Sequence, residues 1–142
     1  MTSRKRILVI DDSQALASVV ERILRKQDYD VITALNGTEG FDKAKEEKPD
    51  VIILDVLMSG NDGYEVGRAL RQDPDTNDIP IIFLCSEENI ESKEGASTVG
   101  LQEINIAFEC GADDFLQKPV SPDDFVRSVK NVIWFSEISA LV

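Results

Sequence analysis

Val51-Ile52-Ile53-Leu54-Asp55-Val56-Leu57-Met58-Ser59-Gly60-Asn61-Asp62-Gly63 is the stretch that decides the fold. Four apolar residues, three of them β-branched, run into one carboxylate and then into a glycine-containing turn. That is the pattern of a strand buried on both faces that carries Asp55 to a loop at its C-terminal end. In an open parallel sheet the carboxyl ends of the strands form the ligand crevice, so a carboxylate there is placed for chemistry or metal binding. A strand ending in Asp is a weak motif alone, and the plainer reading of Asp55 as a cap on its turn stands beside the functional one.

Outward from this stretch the same pattern recurs. Arg6-Ile7-Leu8-Val9-Ile10 is a second buried strand ending in acid, at Asp11-Asp12. A helix follows, capped by Asp12 or Ser13, with Leu16, Val19, Val20, Ile23 and Leu24 at helical spacing. Tyr29 to Ala34 reads as a shorter strand at or near a sheet edge. Asn36-Gly37 opens a weak helix to about Glu47, in which Phe41 and Ala44 face inward and Gly40 lowers the intrinsic propensity. After Gly63, the residues Val66, Ala69 and Leu70 mark a third helix, ended by the polar loop Gln72 to Asp78. Asp73, Asp75 and Asn77 imitate a calcium loop, but Asp78 replaces its glycine and Leu84 stands where its bidentate glutamate belongs. Pro80 to Ser86 is the next buried strand. Glu87 to Val99 is polar and acidic without a clean period, and a helix carrying Leu101, Ile104, Ala107 and Phe108 then runs to Gly111. Asp113 to Gln117 is the last strand, ending at Lys118-Pro119. Ser121-Pro122-Asp123-Asp124 is a strong helix start, with Phe125, Val126, Val129, Val132 and Ile133 facing inward. Five strands alternating with five helices, with no linker, predict a single α/β domain over 1–142, its core at about 5–135. The sheet is parallel, doubly wound and covered on both faces, a (βα)5 three-layer sandwich.

Composition narrows the function. A net charge of -12 argues against nucleic acid or an anionic membrane as a direct partner, because both would repel this surface. Cys85 and Cys110 lie in apolar stretches rather than at framework spacings, which suits a reducing compartment. The apolar run after the basic opening residues ends at Asp11, too early for a signal peptide, and no run is long enough to span a membrane. A cytoplasmic address is expected. The absence of histidine removes histidine general-base catalysis, histidine metal sites and a phosphohistidine relay within this chain.

Four strand ends carry polar or reactive residues: Asp11 and Asp12, Asp55, Cys85 and Ser86, and Lys118. A doubly wound sheet gathers them at one rim, and in the flavodoxin-like order 2-1-3-4-5 the first and third strands are neighbours, bringing Asp11, Asp12 and Asp55 together. Three carboxylates that close repel one another, so the cluster calls for a cation. All-oxygen ligands favour Mg²⁺, or Mn²⁺, with waters and a phosphate oxygen completing the shell. Lys118 supplies a point charge for that phosphate, and a carboxylate beside a metal and a lysine is equipped to attack phosphorus.

The whole chain resembles a response-regulator receiver domain of the chemotaxis-receiver type, the phosphoacceptor half of two-component signalling. The likeness rests on Asp11-Asp12, on Asp55 with Met58 and the Asp62-Gly63 turn, and on Lys118-Pro119. Receivers are themselves a standing example of the 2-1-3-4-5 order, so the resemblance supplies that order and the strand–helix alternation does not. The resemblance implies that Asp55 accepts a phosphoryl group from a sensor histidine kinase or a histidine phosphotransfer protein. It implies that Asp12, Asp55 and the backbone carbonyl of Leu57 hold Mg²⁺, with Asp11 acting through water. Lys118 would pair with the phosphoryl oxygens, and the Lys118-Pro119 bond is expected to be cis. The implied output is a protein contact, to a downstream protein or output domain, through the face of helix four, strand five and helix five.

Several residues depart from the family pattern. Cys85 stands where receivers usually have threonine or serine, whose hydroxyl turns to the phosphoryl group, and a thiol is a weak donor. Either phosphorylation is coupled less tightly to the switch, or Cys85 packs as a small hydrophobe while the backbone carries it. Ser86 points elsewhere by strand alternation. Phe115 occupies the switch-aromatic position without a hydroxyl, and reads equally as core. Ser59 replaces the usual proline after Met58, loosening that turn. Leu57 is apolar where many relatives are polar and cannot orient attacking water, so a long-lived phosphoryl group is expected. Glu87 to Val99 lengthens its connection beyond the family norm, as a partner-recognition lid or a passive insertion. The apolar stretch Val132 to Val142 suggests a homodimer contact, a lead into an output domain cut from this chain, or a helix end folded onto its own core.

Two other functions compete. One keeps the fold and discards the switch, leaving a pseudo-receiver that acts as an interaction module. The other is a phosphotransferase with an aspartate nucleophile. That enzyme reading lacks the second acid that haloacid-dehalogenase-like enzymes carry two residues further on, where Leu57 stands, and the chain has no Walker-type glycine loop. A signalling domain rather than an enzyme is therefore expected.

Overall fold

The structure, a computed structural model, describes residues 4–58, 61–85, 109–118 and 120–141. Five parallel strands form the main sheet: β1 (Arg6–Ile10), β2 (Asp30–Ala34), β3 (Val51–Asp55), β4 (Ile81–Cys85) and β5 (Asp114–Gln117), in the order β2-β1-β3-β4-β5. The helices are α1 (Gln14–Arg25), α2 (Gly37–Glu47), α3 (Gly63–Gln72) and a C-terminal helix (Pro122–Ser139). The helix expected around Leu101 to Phe108, the segment Glu87 to Val99, Ser86, Ser59 and Pro119 lie outside the described residues, and with them the cis bond. No helix among the described residues is long and apolar enough to cross a membrane.

The central strands β1, β3 and β4 are apolar without a break because both of their faces are covered. Ile7, Val9, Val51, Ile53, Ile82 and Leu84 point to one side, where α1 and the C-terminal helix bury Ala17, Val20, Leu24, Phe125, Val129 and Val132. Leu8, Ile10, Ile52, Leu54, Ile81 and Phe83 point to the other, against Ala44 of α2 and Leu70 of α3. Alternation sends successive residues to opposite faces, so each run fills two cores. The expected edge strand is the edge strand: among the described residues β2 pairs only with β1.

Local chemistry sets the helix starts. The Ser13 hydroxyl accepts from Leu16 N, the Asn36 side chain from Glu39 N and the Ser121 hydroxyl from Asp124 N, each closing a first turn. Gly40, unfavourable by propensity, is buried where a Cβ would lie 2.5 Å from Ile10 Cδ1. Close approach of α2 to β1 overrides propensity there. Two apolar residues of the helical patterns lie at the surface: Val19 is 49% exposed and Ala69 is exposed. The buried stripe of α1 runs through Ala17, Val20 and Leu24 and leaves Val19 about a third of a turn away. The imitation calcium loop is a turn pinned by its own groups: Asp75 N donates to Asp73 Oδ1, and Lys45 pairs with Asp73 at 3.0 Å. The C-terminal helix does not fold its last apolar side chains onto the core, since Trp134 and Phe135 are 56% and 62% exposed.

One unforeseen tie holds the far end of the sheet. The Arg71 guanidinium, at the end of α3, makes five hydrogen bonds, to the carbonyls of Asn77, Ile79 and (twice) Gly111 and to the Asp113 carboxylate. Asp113 Oδ2 also accepts from Ile81 N, so one cation fixes the entries to β4 and β5. Gly111 has φ +97, and a Cβ there would lie 2.4 Å from Arg71 Cγ. Replacing Arg71 with alanine strands those acceptors and is expected to cost about 2–4 kcal/mol. The melting temperature should fall by roughly 6–12 °C. Arg71→Lys should recover little of this, because a point ammonium cannot span the fork. A thermal melt within about 1 °C of the parent would show that the clamp carries no stability.

Candidate functional site

The rim is built by strand ends. Asp11 directly follows β1, and its N–H donates to Ala34 O at 3.0 Å, fixing it against β2. Its carboxylate Oδ1 accepts from Ser13 N at 2.9 Å, so the turn that starts α1 also orients the acid. Asp55 closes β3, in register with Leu84. Asp11 and Asp55 are 1% and 3% exposed, whereas Asp12 faces solvent. The first and third strands being neighbours, each of these three acids brings an oxygen within 4.8 Å of the others.

Lys118 enters from the other side. Its N–H donates to Cys85 O at 2.7 Å, extending the β5–β4 ladder one residue beyond β5 and fixing where the side chain departs. Its Nζ lies 3.3 Å from Asp55 Oδ2 and 3.4 Å from Asp11 Oδ2, spanning β4 to reach the acids of β3 and β1. The contact is largely shielded: the side chains of Lys118, Asp11 and Asp55 are 20%, 1% and 4% exposed. One ammonium against three carboxylates leaves the cluster two charges negative, an electrostatic demand for a further cation.

The donor set meets that demand. Carboxylate oxygens alone, with no histidine in the sequence, suit a hard divalent ion such as Mg²⁺ or Mn²⁺. Exposure of Asp12 leaves one side of the cluster open to water or a phosphate oxygen. Leu57 follows Val56 in a two-residue strand, Leu57–Met58, paired antiparallel with Asn61–Asp62, a hairpin not foreseen from the sequence.

Cys85 and Phe115 lie near the rim and pack in or against one core cluster. Cys85 ends β4, between the strands of Asp55 and Lys118, and is fully buried in the cluster on the α2/α3 side of the sheet. Phe115 is half-buried against that same cluster, in register with Phe83 and below the strand end. Two residues at the site went unread. The N–H of Ser13 holds Asp11, a role hidden by its more obvious one as a helix cap. Gly63 opens α3 directly against the backbone of Asp55 and Val56.

An acidic rim at the switch point of a doubly wound sheet, reached by one lysine, marks the chain as an α/β domain of the flavodoxin-like kind. The chain belongs to the response regulator receiver domain family, whose model matches residues 7–130. The alkaline phosphatase synthesis transcriptional regulatory protein PhoP of Bacillus subtilis is 39% identical over 136 residues, which are 96% of this chain and 51% of that protein. The chain thus spans about half the length of that relative. The signal receiver domain of a signal transduction histidine kinase from Syntrophus aciditrophicus is 34% identical, with a TM-score of 0.73 over 91% of this chain and 89% of that one. The chemotaxis response regulator CheY4 of Vibrio cholerae is 28% identical, with a TM-score of 0.77 over 92% of this chain and 99% of that one. Aspartyl phosphorylation and an Mg²⁺-binding acidic pocket are standard in this family of two-component phosphorelays.

Removing Lys118 leaves two buried acids without that ammonium. Lys118→Met is expected to destabilise the fold by about 3 kcal/mol. Added Mg²⁺ should raise the melting temperature of Lys118→Met more than that of the parent, since the ion then replaces a missing charge as well as binding. Equal Mg²⁺-induced shifts in calorimetric melts of the two proteins would contradict this electrostatic account.

Proposed function

We propose that this chain is a working receiver: Asp55 accepts a phosphoryl group from a sensor histidine kinase or a histidine phosphotransfer protein, and the change is read by a downstream protein or output domain. The observation that carries this reading is the reach of Lys118 to both Asp55 and Asp11 at a rim where Asp12 completes an oxygen cluster. Asp12, Asp55 and the Leu57 backbone carbonyl would hold Mg²⁺, with Asp11 acting through water. The ion, when bound, supplies Lewis-acid neutralisation of the phosphoryl oxygens.

An Asp55 carboxylate oxygen attacks phosphorus. The new Asp55 O–P bond forms as the bond from phosphorus to the donor's imidazole nitrogen breaks, and that nitrogen keeps the electron pair. Lys118 turns its ammonium from the Asp55 carboxylate to the incoming phosphoryl oxygens, a short move for a flexible side chain. Asp11 lies beside it and keeps the ammonium at the rim. The low exposure of Asp55 limits water at the acyl phosphate, and apolar Leu57 offers no group to orient an attacking water. A cytoplasmic location and a homodimer through helix four, strand five and helix five belong to the same reading.

Intact mass after incubation with Mg²⁺ and acetyl phosphate tests it: one phosphoryl addition is expected, absent in Asp55→Asn and without metal. No addition, under conditions where another receiver reacts, would defeat the proposal. Leu57→Asn is expected to shorten the lifetime of the phosphorylated form about tenfold, the size of one hydrogen bond that orients water, and equal decay would remove Leu57 from the account.

The complete burial of Cys85 in an apolar cluster favours a second reading, a non-switching module for protein interaction. Cys85→Thr discriminates. If weak coupling at Cys85 limits the switch, the threonine variant at equal phosphorylation gives larger amide chemical-shift changes along β4 and β5. Identical changes in the two proteins would assign Cys85 to packing alone.

A further inference from the structure

We infer that Gly63 is a positioning residue for the acceptor loop: its missing side chain lets α3 seat on the backbone that carries Asp55. This rests on the receiver reading above and adds a determinant of the geometry of that site. Gly63 is buried, and its N–H donates to Val56 O at 3.1 Å. A Cβ at this position would lie 2.4 Å from Val56 Cα, 2.6 Å from Asp55 O and 2.9 Å from Val56 C. All three obstacles are backbone, so no rotamer change can clear them. The requirement is one of space, since Gly111 is the only described glycine with positive φ.

The strain of an added methyl must then move either α3 or the acceptor loop, and α3 is pinned along its length. One turn on, a Cβ at Gly67 would lie 2.6 Å from Phe83 Cζ, so this helix already rests on the ring of a fully buried side chain. At its far end the five hydrogen bonds of Arg71 tie it to the entries of β4 and β5. The loop is tied at its start, where Val56 N donates to Leu84 O, and continues into a hairpin of two two-residue strands. The displacement therefore enters the segment from Asp55 to Leu57, which sets the Asp55 carboxylate against Lys118 and presents the Leu57 carbonyl to the cation. Gly67 is the internal control. It sits on the same helix and is as tightly packed, but against a side chain and away from the acids.

The experiment compares Mg²⁺ affinity, by isothermal titration of the full chain with MgCl₂, in the parent, Gly63→Ala and Gly67→Ala, each with a thermal melt. The expected result is a cooperative melt for both variants, with Mg²⁺ binding about tenfold or more weaker in Gly63→Ala, the size of a lost supporting contact around a metal. Gly67→Ala should stay within about twofold of the parent, even where it melts earlier. Equal affinity in Gly63→Ala and the parent overturns the inference while leaving the receiver reading intact. So do equal losses in the two variants, which would make the effect one of general packing. Failure of Gly63→Ala to fold while Gly67→Ala folds also overturns it, because the methyl is then absorbed by the fold and not by the loop. Absence of Mg²⁺ binding in the parent removes the receiver reading itself, and the inference with it.

Discussion

Asp11 and Asp55 lie almost wholly out of water at neighbouring strand ends, and the Lys118 ammonium between them is the interaction on which the site depends. Burying two like charges side by side is unfavourable without a compensating cation, and a single lysine compensates only in part. The remaining negative charge is not a defect of packing. It suits the site to a divalent cation, in keeping with the Mg²⁺-binding acidic pocket standard in this family. The sheet serves this arrangement: β1 and β3 must be adjacent to bring the acids together, and β5 must lie with a single strand, β4, between it and β3 for a lysine to reach them.

The same economy governs α3. Helices that cover a parallel sheet bury a stripe of side chains, but α3 is also held by what it lacks at Gly63 and Gly67 and by the fork of Arg71. Close backbone approach transmits position more faithfully than side-chain packing, because no rotamer intervenes. One helix therefore links the acceptor end of the sheet to its opposite end. The other face is tied differently, with the buried Ser128 hydroxyl of the C-terminal helix donating to the Asp114 carboxylate at the start of β5. Lys118 and the C-terminal helix are thereby connected through one strand. Exposure of Trp134 and Phe135 at the far end of that helix, in edge-to-face contact, leaves an apolar surface that the domain itself does not use.

Much of this was legible in the chain because it is local. Unbroken β-branched runs identify strands buried on both faces. Ser13, Asn36 and Ser121 announce the helix starts, and acids at the strand ends announce a rim. Periodicity and propensity settle less at other positions. Val19 fits the apolar spacing of α1 but falls outside the arc that the sheet covers. Gly40 weakens a helix by propensity, yet the approach of Ile10 demands it. Asp73 and Asp75, whose calcium-loop pattern already fails at Asp78 and Leu84, are turn and ion-pair residues.

By itself, then, the sequence determined five strands, their alternation with helices, the gathering of acids at one rim and the kind of ion that rim would take. Those follow from residue type and spacing, which act over a few residues at a time. The tertiary structure alone decided that Lys118 touches both Asp11 and Asp55, that Arg71 joins the entries of β4 and β5, and that Gly63 lies against the backbone of Asp55 and Val56. These contacts join residues far apart in the chain, and their existence depends on strand order and ångström-scale packing, which no local pattern encodes.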